Sequence, residues 1–141
     1  MIHPMADDPT IVHVTGLQKR YKKHVAVNGV DLTITKGEIY GLIGPDGSGK
    51  SSVMKTIAGV LTYDSGSVQV FGTFVDSERA AERVKERIGF LPQGLGLNLY
   101  PDLSVEENID FFARLRLVPD QDLAERKTRL LAMWQFRRQF E

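Results

Sequence analysis

The run Gly44-Pro45-Asp46-Gly47-Ser48-Gly49-Lys50-Ser51 matches G-x-x-x-x-G-K-[ST], the pattern of a phosphate-binding loop. Its chemistry follows from the residue types. Glycines reach backbone conformations closed to residues with a Cβ, so successive N–H groups can turn toward one anion. A helix that starts at the loop adds the positive end of its dipole. Lys50 supplies a mobile positive charge for the outer phosphates, the Ser51 hydroxyl suits ligation of Mg²⁺, and Ser52 closes the cradle. The pattern implies a site for a nucleoside triphosphate. A glycine-rich turn that carries Gly-Lys-Ser by chance is the competing reading, and the flanking segments argue against it.

Those flanking segments are what must hold the loop. Residues 38–43 (Glu-Ile-Tyr-Gly-Leu-Ile) are nearly continuously apolar, as in a strand buried on both faces. Residues 51–60 read as a helix ending near Gly59. Upstream, residues 11–14 and 30–35 alternate in the manner of strands, the second ending at Lys36-Gly37. Downstream, Ser65-Gly66 marks a turn, residues 67–72 read as a strand, and residues 76–87 as a surface helix with Ala80, Ala81 and Val84 on one face. Residues 88–91 read as a short strand ending at Pro92-Gln93, and residues 94–101 as a mobile loop. Ser104 and Glu107 form a capping-box pattern that starts a helix with Val105, Ile109, Phe111, Phe112 and Leu115 on its buried face. Pro119 breaks the chain. Asp120 or Asp122 then caps a last helix in which Leu123, Leu130, Leu131 and Trp134 recur at helical spacing.

Composition narrows the function classes. The 141 residues suffice for one domain with a core, and 18 basic residues balance 18 acidic ones. No broad basic face is expected, hence no direct nucleic-acid partner. The absence of cysteine excludes disulfides and thiolate metal sites. His3, His13 and His24 are not spaced as a metal cluster and read as surface or strand residues. No apolar stretch reaches the roughly 18 residues of a membrane span. Residues 1–10 lack the basic-then-apolar pattern of a signal peptide and read as a flexible leader. An intracellular location is expected.

Three features in order resemble the ATP-binding subunits of ABC transporters. Tyr21, in Lys19-Arg20-Tyr21 upstream of the Ala26-Val27-Asn28-Gly29 segment, resembles the family's A-loop aromatic, which stacks on adenine. The phosphate loop comes second. Gln93, in Leu91-Pro92-Gln93, resembles the Q-loop glutamine, whose carboxamide reaches Mg²⁺ and the attacking water. Residues 98–115 look like the start of the helical subdomain that signals to membrane partners. The resemblance covers roughly residues 11–127 and is closest to the multidrug-export branch. Gly44-Pro45-Asp46-Gly47 and Pro92-Gln93-Gly94 look most like its ribosome-associated ATPase type. It implies an α/β P-loop NTPase fold: a parallel sheet core, an N-terminal antiparallel β part and the start of a helical subdomain. It further implies ATP and Mg²⁺ as cofactors, and a membrane subunit and a second nucleotide-binding domain as partners. Its place would be the cytoplasmic side of the plasma (inner) membrane.

The sequence departs from the family pattern in three places. It holds no Leu-Ser-Gly-Gly signature, no Walker B run of four apolar residues before Asp-Glu, and no histidine after His24 to act as the switch. Residues 117–120 contain Pro119, which cannot donate in a central strand, and residues 74–76 are too short. The expected domain over residues 11–141 is therefore incomplete, with its C-terminal part missing. Such a chain is expected to bind MgATP and to hydrolyse it poorly if at all, so no complete catalytic set is assigned. It is also expected to be marginally stable or prone to aggregate. The leading reading is part of the ATPase subunit of an ABC exporter. The alternative is a non-catalytic interaction module, or a truncated product, that keeps a P-loop. A different P-loop enzyme is disfavoured: there is no guanine-reading Asn-Lys-x-Asp and no clear basic lid.

Overall fold

The computed structural model describes residues 9–94 and 99–134. The leader expected over residues 1–10 therefore lies mostly outside the described residues, and Thr10 already belongs to the first strand. Residues 95–98 of the expected loop and the tail from residue 135 also lie outside them. The chain divides into two compact units, Met1–Phe90 and Leu91–Glu141.

The first unit is built on a long hairpin. Strands β1 (Thr10–Tyr21) and β2 (His24–Thr35) pair antiparallel and are joined by Lys22-Lys23. They extend the short segments expected from alternation because the hairpin keeps pairing through to Tyr21 and His24. The ladder is not regular: register shifts fall between Val14 and Leu17, where Gly16 takes φ 57°. The Gly16 N–H donates to Asp31 Oδ1 at 2.6 Å, which pins the bulge. Before the bulge Val12 and Val14 point into the core; after it Leu17 and Lys19 do. The one-residue slip thus selects which side chains near the end of β1 face inward.

Strand β3 (Ser65–Val70) pairs antiparallel with β1, and β4 (Thr73–Phe74) pairs with β3, giving the order β2-β1-β3-β4. Ser65-Gly66, expected as a turn, starts this strand. Gly66 fits there because a Cβ would come within 2.5 Å of the Gly16 carbonyl oxygen of β1. The chain reverses at Phe71 (φ 50°) and Gly72 (φ 76°), where the strand expectation over residues 67–72 ends early. The core gathers on one sheet face: Val14, Leu17, Val68 and Val70 from the strands, Val53 from helix α1 (Lys50–Ile57), and Val84 from helix α2 (Glu78–Lys85). Each such burial is worth about 1.5–3 kcal/mol relative to exposure. Helix α2 is capped by Ser77 and buries Ala80, Ala81 and Val84, as its pattern requires.

Two expected strands do not form. Residues 38–45 run without ladder bonds, and Ile39 and Ile43 are 99% and 97% exposed. Residues 88–91 likewise join no sheet. The four-stranded antiparallel sheet contains no parallel pair, so among the described residues the expected parallel core is not assembled. The cause is non-local: a doubly buried strand needs a neighbour on each edge, and no other described segment supplies one beside residues 38–45.

The second unit pairs two helices, α3 (Val105–Leu115) and α4 (Asp120–Trp134). The capping box at α3 is complete: Ser104 Oγ accepts from Glu107 N–H at 3.2 Å, and Glu107 Oε2 accepts from Ser104 N–H at 2.8 Å. Helix α4 starts at Asp120, and Lys127 reaches Asp110 of α3 at 2.9 Å. Of the apolar face expected to be buried on α3, Ile109 is half-buried, but Val105, Phe111, Phe112 and Leu115 are exposed, and Asn108 is the buried residue. Two helices in contact cover too little surface to bury a wide apolar stripe. Of the positions expected to be apolar contacts on α4, Leu130 is exposed and Leu123 half-buried.

Candidate functional site

The phosphate loop is shaped by the sheet behind it. Gly49 takes φ 89° as the N-cap of α1, and Gly47 takes φ 78°. Both values lie in the left-handed region that favours glycine. Gly49 is also a packing requirement, since a Cβ there would collide with the Ala26 carbonyl oxygen of β2. The start of α1 is in this way pressed against the hairpin. At the other end of the loop, a Cβ on Gly44 would lie 2.9 Å from Ser48 Oγ.

Inside the loop sits Lys50. Its Nζ donates to the Gly44 carbonyl at 2.7 Å and the Pro45 carbonyl at 2.6 Å, with Ser48 Oγ 3.4 Å away. The ammonium therefore lies in the concavity formed by residues 44–48. No side chain caps the first turn of α1, and no acidic residue occupies it. The positive helix end is left to whatever anion enters the loop. Pro45, Asp46 and Gly47 are exposed, Ser51 is exposed in the first turn, and Ser52 is half-buried. A polyphosphate fits this set: glycine where a Cβ would fill the cradle, an uncapped helix start and a lysine at the centre.

Tyr21 is brought to the same place. Its hydroxyl lies 3.3 Å from Ser52 Oγ, and its ring is 44% exposed. The ring can thus offer a face to a base while its far end touches the helix that carries the phosphate loop. Lys19, which the sequence reading passed over, lies above that ring with Nζ 5.6 Å from the centroid. The signal for it was proximity: Lys19 stands two residues before Tyr21 in β1, although the ladder shifts register between Lys19 and Arg20.

Gln93 belongs to the second unit and lies exposed at a bend. Ser51 and Gln93, the expected Mg²⁺ ligands, therefore stand in separate units. Among the described residues no group of three or more His, Asp or Glu side chains could hold a metal ion. His13 and His24 are exposed strand residues; His13 bonds to Thr33 and Thr15. No helix among the described residues is long and apolar enough to cross a membrane.

The ABC transporter family model matches residues 27–140. The chain belongs to the ABC transporter ATP-binding family. The family binds ATP, in keeping with the loop just described. Among curated relatives of this ABC ATP-binding chain, the linearmycin resistance ATP-binding protein LnrL of Bacillus subtilis is 35% identical, over 74% of this chain and 32% of its own length. The Nod factor export ATP-binding protein I of Ralstonia nicotianae is 34% identical, over 86% of this chain and 36% of its own. The probable multidrug ABC transporter ATP-binding protein YbhF of Escherichia coli is 38% identical, over 86% and 21%. The chain thus spans between 21% and 36% of the length of these relatives.

Solved structures agree on the fold. The structure of cbiO1 from Clostridium perfringens, part of the transporter complex cbiONQ, superposes with a TM-score of 0.75 at 25% identity, covering 89% of this chain and 50% of that one. The dimeric ATP-binding cassette MJ0796, bound to ADP and Pi, gives 0.75 at 24% identity, covering 92% and 60%. The P-loop NTPase fold class expected from the sequence is therefore that of the ABC ATPases, represented here by part of the domain.

Proposed function

We propose that this chain is the nucleotide-binding part of the ATPase subunit of an ABC exporter. The observation that carries the reading is the seating of Lys50 inside a loop whose last glycine caps α1, with Tyr21 reaching that same helix. Tyr21 would stack on adenine, residues 44–50 would enclose the phosphates, and Lys50 would turn from the loop carbonyls toward the outer phosphates. Ser51 would ligate Mg²⁺, which would supply charge neutralisation at the phosphates; Gln93 stays a candidate ligand on the resemblance of Leu91-Pro92-Gln93 to the Q-loop alone.

The names of the relatives support export as the process served, since two are named for export or multidrug transport and one for resistance. The partners would be a membrane subunit and a second nucleotide-binding domain, at the cytoplasmic face of the membrane. One neighbouring structure is part of a transporter complex and another is a dimeric cassette, which supports both partners. Hydrolysis is not assigned to this chain's own residues, because the 141-residue sequence has neither signature, Walker B run nor switch histidine. One observation favours the reading as an interaction module: Phe111 and Phe112 lie exposed on α3.

The test is thermal unfolding with and without MgATP, beside Lys50→Ala. A ligand that binds only the native state raises its stability. A rise in midpoint for the parent and none for Lys50→Ala is expected. Equal behaviour of the two proteins would remove the reading.

A further inference from the structure

Lys19 is a charged residue that the strand tucks in beside the loop. It is 9% exposed, on the core side of β1 beside Leu17, and opposite Val27 in the ladder. Val27 in turn packs against the Gly49 position, where a Cβ would come within 3.3 Å of its Cγ2. The Lys19 stem is buried on the core side of the strand, and its ammonium is carried out to the Tyr21 ring rather than sealed in the core. Among the described residues it has no ion-pair partner; its resolved neighbour is the Tyr21 ring.

We propose that Lys19 is a positioning residue for nucleotide binding: its ammonium holds the Tyr21 ring at the angle needed to receive the base. This rests on the reading of the P-loop as an ATP site. Two fixings then act on one side chain. Ser52 anchors the Tyr21 hydroxyl from α1, and Lys19 fixes the ring from the strand. A cation within about 6 Å of a ring centroid is attracted by the negative face of the ring. The ladder irregularities from Gly16 to Arg20 bring Lys19 and Tyr21 to these positions at the end of β1. A ring already held loses less freedom when a base stacks on it, so the bound geometry is prepared before ligand arrives.

The experiment titrates a fluorescent ATP analogue and, separately, inorganic tripolyphosphate into the 141-residue chain and its variants. Lys19→Met is expected to weaken nucleotide binding roughly three- to tenfold, with Lys19→Arg staying near the parent. Tripolyphosphate binding is expected to be unchanged, since it has no base to stack. In a Tyr21→Ala background, Lys19→Met is expected to add nothing. Equal loss for both ligands, an effect that persists without Tyr21, or no effect in Lys19→Met each overturns the proposal. If Lys19→Met does not fold, Lys19→Gln carries the same comparison. A parent that binds neither ligand overturns the ATP-site reading as well; a parent that binds both while Lys19→Met matches it overturns this inference alone.

Discussion

The Tyr21 hydroxyl lies 3.3 Å from Ser52 Oγ, joining the end of the first strand to the first turn of the helix that carries the phosphate loop. The two residues are far apart in sequence, yet their contact links the base-facing ring to the phosphate-facing helix. Tyr21→Ala is expected to weaken nucleotide binding about tenfold or more, because base–aromatic stacking is worth roughly 1–3 kcal/mol. Tyr21→Phe keeps the ring face and is expected to lose much less. Titration with a fluorescent nucleotide separates the two, and equal losses would place the hydroxyl, not the ring, at the centre of recognition.

Gly49 serves the loop conformation and the packing on Ala26 together. Gly49→Ala is expected to destabilise the first unit by at least the roughly 1–3 kcal/mol of a strained backbone residue, and to abolish the response to MgATP. Gly29 also has positive φ, at 71°, but a Cβ there meets nothing. Gly29→Ala is expected to cost only the backbone strain. Urea unfolding of both variants measures the difference.

How much of this was legible beforehand follows from how local each feature is. The loop at residues 44–51, the Ser104–Glu107 capping box and the buried face of α2 are written in residues within a few positions of one another, and all three formed as expected. The strands expected at residues 39–43 and 88–91 depend on neighbours that no local pattern contains, and they did not pair. The same holds for the exposed aromatics of α3. Lys19 was hidden for a different reason: that it faces inward depends on irregularities of the ladder at Gly16 and between Leu17 and Gln18, which are set by backbone geometry and, at Gly16, by Asp31.

Glu107 gives a pH dependence with a defined sign. Hydrogen bonds from the Ser104 backbone N–H, then from its side chain, hold the Glu107 carboxyl below its ordinary value of 4.5. A carboxylate with a lowered pKa in the folded state adds stability above its unfolded pKa, and that contribution fades as pH falls through the lowered value. The start of α3 is therefore expected to loosen on acidification below about pH 4.5. Ser104→Ala keeps the backbone N–H, the larger cause, and loses only the hydroxyl, so the Glu107 pKa should rise part of the way toward ordinary and the cap should lose about 1 kcal/mol. An NMR titration of the Glu107 side chain reads both; an unchanged pKa in Ser104→Ala would contradict the assigned cause.

Asn108 fixes the entry to α3. Its Oδ1 accepts from the Tyr100 N–H at 2.8 Å, and its Nδ2 donates to the carbonyls of Tyr100, Leu103 and Ser104 at 3.0–3.1 Å. Asn108→Ala leaves the part-buried Tyr100 N–H and Leu103 carbonyl without this partner and is expected to cost about 1 kcal/mol. Loss of amide protection at Tyr100 in hydrogen exchange is the specific signature.

Ile39 and Ile43 present bare apolar side chains beside an unpaired stretch of backbone. Such a segment is a template for association with another chain. Ile39→Lys with Ile43→Lys is expected to lower self-association, measured by light scattering, with little change in unfolding midpoint. A parent chain that stays monomeric and unfolds in one sharp transition would contradict the expectation of aggregation.

The lysine folded onto its own loop has a meaning for affinity. Lys50 already satisfies its ammonium with the Gly44 and Pro45 carbonyls. An arriving polyphosphate therefore does not fill an idle seat; it displaces a resident competitor that belongs to the same chain. Binding becomes an exchange of partners, so what Lys50 adds to affinity is the difference between its bonds to phosphate oxygens and the two carbonyl bonds it gives up.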